Sequence, residues 1–196
     1  MPRRPLVFAA LCVAACAAST PEARPVSAEP MTAQDRRIFE EGIDFIIDPE
    51  ALEGRWATEW REELEARVAR ADVVSLVRVN TLTSQTDLQQ RVTFHLRLAE
   101  ERALFGALPA DVALSSREGS LGYPTLVGNE RRILQNRFLV FLKWEQPEGA
   151  TAVVPRWHLS PASEGVIRRV QRLLAIRRGD ETPRGSTRVI VRENER

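Results

Sequence analysis

Few side chains in this sequence have the chemistry of a nucleophile, a metal ligand or an acid–base pair. Two cysteines, Cys12 and Cys16, stand near the start, and two histidines, His95 and His158, stand far apart. Neither histidine has a second ligand two or four residues away, so no local metal-binding spacing exists. His95 reads instead as a residue on the polar face of a strand. Ser115-Ser116 lacks the strained G-x-S-x-G turn that presents a serine nucleophile. Neither phosphate-cradling glycine loop, G-x-x-x-x-G-K-[ST] or G-x-G-x-x-G, occurs. Glu40, Glu41 and Asp44 lie close to Arg36 and Arg37, the arrangement of a solvated, charge-paired helix face. These residues predict no catalytic group, no bound metal and no cofactor. Cys16 is left as the side chain with an assignable chemistry.

The surroundings of Cys16 say what that chemistry is. Arg3 and Arg4 give a positive start, Leu6 to Ala15 is a short apolar run, and Val13-Ala14-Ala15 puts an aliphatic and two small residues before the cysteine. Leu11 before Cys12 is too large for a small-residue cleavage pocket. The first twenty residues resemble bacterial lipoprotein signal peptides. The resemblance implies that the sulfur takes a diacylglycerol, that cleavage falls before Cys16, and that the protein is anchored in a cell envelope. Ala17 in place of an Asp after the cysteine favours the outer membrane, facing the periplasm. Two or three acyl chains anchor firmly because each buried CH₂ contributes about 0.8 kcal/mol, whereas one chain holds marginally. An ordinary signal peptide cut after an alanine is the competing reading. A spanning helix is not, because about 20 apolar residues are needed to cross.

Two further groups of residues have the chemistry of binding surfaces. Trp56 and Trp60 stand one helical turn apart, as an exposed aromatic platform for a glycan or protein partner would; the same spacing fits a face docked on a sheet, since Leu64 and Val68 continue the stripe. Arg168, Arg169 and Arg172, with Arg177 and Arg178, make a local basic surface suited to anionic head groups or to simple solvation.

The elements that would carry these residues follow from composition and period. Lys and Arg number 28 against 27 Asp and Glu, a formal net charge of +1, so the chain is near neutral with or without Arg3 and Arg4. That excludes the basic footprint of a nucleic-acid-binding domain. Residues 1–15 read as the signal and 16–30, rich in Ala, Pro, Ser and Glu, as a flexible tether. Residues 31–180 read as one domain without disulfides, stabilised by its apolar core. Residues 181–196 read as a polar tail in which Arg188 to Val191 form a short strand.

Within the domain, Thr32 opens a first helix that runs on through Ile43 and Phe45-Ile46, and Asp48-Pro49-Glu50 opens a second. Five strands follow, over 72–80, 92–98, 111–116, 137–144 and 151–158, of which Arg137 to Trp144 is the most apolar and the central one. Ser160-Pro161 starts a last helix that Gly179 ends. The fold class is α+β: two N-terminal helices, an antiparallel five-stranded sheet or OB-like barrel, and a C-terminal helix. Ala71-Asp72-Val73-Val74-Ser75-Leu76-Val77-Arg78-Val79, Val92-Thr93-Phe94-His95-Leu96 and Phe138-Leu139-Val140-Phe141-Leu142 resemble netrin-like modules and related small Greek-key barrels. The resemblance covers roughly residues 71 to 174 and implies a barrel. It does not imply protease inhibition, because the N-terminal cysteine and disulfides of the animal inhibitors are missing.

The functional expectation is a non-enzymatic envelope module, attached to the membrane through Cys16, that binds an envelope protein or glycan by Trp56, Trp60, Arg168 or Arg172. The alternatives are a periplasmic hydrolase built from scattered polar residues and a carrier for a small apolar ligand.

Overall fold

A computed structural model describes residues 28–180. Cys16, the signal, the tether up to residue 27 and the strand expected over Arg188 to Val191 lie outside the described residues. The chain folds as α+β. Four α-helices, α1 (Ala33–Ile38), α2 (Gly54–Arg70), α3 (Glu130–Gln135) and α4 (Glu164–Arg178), accompany six strands: β1 (Gly42–Ile43), β2 (Val73–Thr86), β3 (Val92–Phe105), β4 (Ala113–Arg117), β5 (Arg137–Glu145) and β6 (Val154–Pro161). Among these helices none is long and apolar enough to cross a membrane.

The strands form one curled sheet in the order β1-β6-β5-β2-β3-β4. All neighbours are antiparallel except β1 and β6, which run parallel, so the sheet is mixed and has one strand more than expected. β2 and β3 change register at three places, and such irregularities sharpen twist and coiling. The coiling carries β6 round towards β4, where the Trp157 indole donates to the Ser115 carbonyl at 3.0 Å.

β5 lies between β6 and β2, and both of its faces are covered. Phe138, Val140 and Leu142 point into the curl with Val77, Leu96, Leu114 and Trp157. Leu139 and Phe141 point the other way, onto a second apolar layer with Trp60, Leu64 and Val68 of α2 and Val166, Val170 and Leu174 of α4. That double covering is why Arg137 to Trp144 reads as a continuous apolar run.

Two expectations for the helices need correction. Thr32 does cap a helix, in a capping box with Asp35, but α1 ends at Ile38 and Gly42–Ile43 pair with His158 and Leu159 instead. The Asp48-Pro49-Glu50 signal opens only a 3₁₀ turn, Pro49–Ala51. Gly54 then takes φ +58 and the long helix starts there, since glycine adopts the left-handed conformation without steric cost. The last helix is capped by Ser163, whose hydroxyl accepts from the Val166 N–H, not by Ser160, which lies within β6. Gly179 closes it at φ +81, as its position predicts.

Candidate functional site

α2 and α4 lie side by side on the outer face of the sheet, and a groove of about 990 Å³ runs between them. The sequence places apolar residues of both helices along its floor, Trp60 and Val68 from α2, Leu173 and Ile176 from α4. Helical spacing then sets Arg168, Arg169 and Arg172 along one wall and Arg61 on the other. Five arginines and two glutamates line the groove, a positive excess that is local because the chain as a whole carries +1.

Most of these charges are held by surface contacts. Arg169 donates to Glu65 across the groove at 2.9 Å, and Arg168 lies 3.4 Å from Glu164 on its own helix. Arg61 donates to the Ala57 carbonyl at 2.8 Å. Arg177 ties the helices together at one end, where one guanidinium nitrogen donates to the carbonyls of Val68 and Ala71 at 2.9 and 2.8 Å. Its guanidinium also stacks 4.0 Å from the centre of the Phe105 ring.

The two tryptophans have different surroundings. Trp60 is 6% exposed and Trp56 is 67% exposed. Residues recurring every four positions drift about 40° per step around a 3.6-residue helix, so the stripe that buries Trp60, Leu64 and Val68 has turned Trp56 out to solvent. Ala57 takes the buried place in the first turn. Arg55 lies over the exposed Trp56 ring at 5.6 Å. Trp60 therefore floors the groove while Trp56 stands apart from it.

The residues most like catalytic machinery form a second site, which the sequence reading missed. His158, 1% exposed, sits between Asp44, 3.2 Å from Nε2, and Glu40, 3.6 Å from Nδ1. Ser160 donates to the same Asp44 oxygen at 2.6 Å. The serine hydroxyl thus serves the carboxylate and not the imidazole, the opposite of a relay that activates a nucleophile. Burial raises the Asp44 carboxyl, but hydrogen bonds from His158 and Ser160 and the charges of His158 and Arg67 outweigh it and hold the group below its ordinary range. Glu40 is likewise held down against burial by His158 and Arg67.

Beside this cluster, burial pushes the Glu41 carboxyl up despite its ion pair with Arg156. Arg156 also pairs with Glu145 at 2.5 Å. Glu145 in turn accepts from Arg36 at 3.3 Å. These contacts clamp the segment from α1 to β1 onto β6. Asp44 lies more than 110 residues from His158 and from Ser160 in sequence, so no local spacing could announce the cluster. His95 is half-buried on β3, opposite Ser115 and Thr83. No group of three or more His, Cys, Asp or Glu is placed to hold a metal ion among the described residues. Comparison with known proteins finds no matching family model, no matching curated protein and no matching solved structure.

Proposed function

We propose that this chain is a lipid-anchored bacterial envelope protein whose folded part is a non-enzymatic binding module, with the α2–α4 groove as its binding surface. The observation that carries the reading is the groove itself: an apolar floor with Trp60 at its base, walled by Arg61, Arg168, Arg169 and Arg172. Concave sites with apolar linings and a few converging polar groups are where small ligands and partner segments bind. The anchoring half of the proposal rests on Val13-Ala14-Ala15-Cys16. The order of β6, β5, β2, β3 and β4, with the Trp157–Ser115 hydrogen bond between the outer two, supports an OB-like barrel as the scaffold. In this reading the buried Asp44–His158–Ser160 cluster serves the fold, which leaves a hydrolase as the weaker alternative.

The test has two arms in intact cells. Radiolabelled palmitate is incorporated into the wild-type chain and lost in Cys16→Ser, which leaves the membrane fraction; labelling that persists in Cys16→Ser removes the anchor. A photoreactive residue in place of Arg172 cross-links an envelope component. The same residue in place of Leu88, 97% exposed at the β2–β3 turn, does not. Equal capture from both positions, or from neither, removes the groove as the binding surface.

A further inference from the structure

We infer that the groove takes a single-chain anionic amphiphile, with its phosphate or carboxylate head group at Arg168, Arg169 and Arg172 and its acyl chain along Trp60, Val68, Leu173 and Ile176. This rests on the binding-module reading and names the ligand class of that same site.

Three observations on separate atoms converge. The first is charge. Arg168 and Arg172 stand one helical turn apart and Arg169 lies between them on the groove wall. Like charges at that spacing repel on a helix. Two of the three, Arg168 and Arg169, have acid partners that answer them only partly. Arg168 meets Glu164 at 3.4 Å with both side chains exposed, and Arg169 meets Glu65 with one guanidinium nitrogen. Exposed pairs of this kind are weak, and a planar guanidinium favours a two-oxygen anion that it can bind through two parallel hydrogen bonds.

The second observation is a pair of buried donors without acceptors. The Trp60 indole N–H and the Arg169 Nε–H are both sealed from solvent, and neither has a hydrogen-bond partner. Such unsatisfied groups are rare in folded proteins and ask for an explanation. Both belong to residues that line this groove. An ester or head-group oxygen wedged between the two helices, with the side chains that seal these donors moved aside, is the acceptor that they lack.

The third observation is the shape and lining of the space. About 990 Å³ is at the upper end of small-ligand sites, and the groove follows two helices rather than closing around a compact solute. Val68, Leu173 and Ile176 offer the floor no hydrogen-bonding side chain, which suits an alkyl chain. Nucleotides and sugars need exposed aromatic faces or polar floors, and the tryptophan of this floor is buried.

The experiment uses the full-length Cys16→Ser chain, whose own acyl groups are then absent and do not compete for the groove. Dodecyl phosphate, kept below its micelle concentration, is titrated in by calorimetry with tryptophan emission followed in parallel. Saturable one-site binding is expected, with dodecyltrimethylammonium and inorganic phosphate each at least about tenfold weaker. Arg168→Gln/Arg172→Gln is expected to weaken dodecyl phosphate about tenfold at an unchanged melting temperature. Trp60→Phe, which keeps the ring and removes the donor, is expected to weaken it about threefold.

Equal binding of the cationic amphiphile, or arginine variants that bind as the wild type does, overturns the inference. So does a chain that self-associates through the groove and takes up no amphiphile. Absence of dodecyl phosphate binding together with cross-links from position 172 in cells overturns the ligand class alone; absence of both overturns the binding module as well.

Discussion

Gly42 lies against Gly122 backbone to backbone: a Cβ built on Gly42 would stand 2.6 Å from the Gly122 Cα, and one built on Gly122 would stand 2.3 Å from the Gly42 Cα. The contact seats β1 between β6 and the turn that precedes α3. The Gly122 N–H donates to the Glu40 carbonyl at 2.9 Å, and the Ile43 N–H donates to the Thr125 hydroxyl at 2.9 Å. Because backbone meets backbone, no flexible side chain can yield. Gly42→Ala and Gly122→Ala are each expected to cost about 1–3 kcal/mol by overpacking. Gly165→Ala on α4 meets nothing within 4 Å and is expected to be neutral or to stabilise by up to about 1 kcal/mol. Urea unfolding midpoints of the three variants check this ordering.

Asp44 makes stability depend on pH from the acid side. Its folded carboxyl titrates below its ordinary 3.8. The contribution is therefore complete above the unfolded value and is lost as pH falls through the lower folded one. Asp44→Asn is expected to flatten the decline of unfolding free energy as pH falls below 3.8. Glu41 acts with the opposite sign. Its carboxyl is raised, the folded state keeps that proton longer, and its contribution falls as pH rises above its ordinary 4.5. Chemical denaturation repeated across the acid range separates the two.

Trp60 and Trp56, one turn apart on α2, are expected to respond differently to truncation. Trp60→Ala empties a site in the buried layer that includes Leu64, Val74 and Phe141 and should cost about 3–5 kcal/mol. Trp56→Ala removes an exposed ring and should stay within about 0.5 kcal/mol of the wild type. Thermal melts of both proteins decide the point; equal losses would mean that the stripe does not turn away from the sheet at Trp56.

Arg177 satisfies the Val68 and Ala71 carbonyls at the C-terminal end of α2. Arg177→Met keeps much of the side-chain stem and removes both hydrogen bonds. It is expected to cost about 1–3 kcal/mol, since one charged donor is lost from two carbonyls. Arg178→Met, whose partner is the neighbouring exposed Asp180, should be nearly silent. Hydrogen exchange at the last turn of α2 should accelerate in the first variant alone.

What could be read from the sequence was local. The apolar run of β5, the alternation of β3 over Val92 to Leu98, the Thr32 cap and Gly179 each show in a few consecutive residues, and each lies where its pattern implies. What stayed hidden was decided by partners far along the chain. Gly42–Ile43 carries no strand signal of its own; it is a strand because His158 and Leu159 pair with it. His158 lacks a ligand nearby in sequence because Asp44 and Glu40 come from the other end of the domain. The arginines of α4 were visible as a basic patch, but the groove needed Trp60, Arg61 and Glu65 from α2. The second helix starts not at Asp48 but at Gly54, whose positive φ no local apolar pattern announces.

The pairing of the first and last elements has a consequence for biogenesis. Glu65 meets Arg169 at a sequence separation of 104, and Asp44 meets Ser160 at a separation of 116. Neither the groove nor the β1–β6 pair can exist until α4 and β6 have been synthesised, because long-range closures come late. A chain threaded N-terminus first would wait with Trp60, Leu64 and Val68 only half-covered, by β2 and β5, until α4 arrived. Truncated copies would keep the uncovered half of that apolar stripe permanently on display, the kind of surface by which quality-control proteases and chaperones recognise unfinished chains.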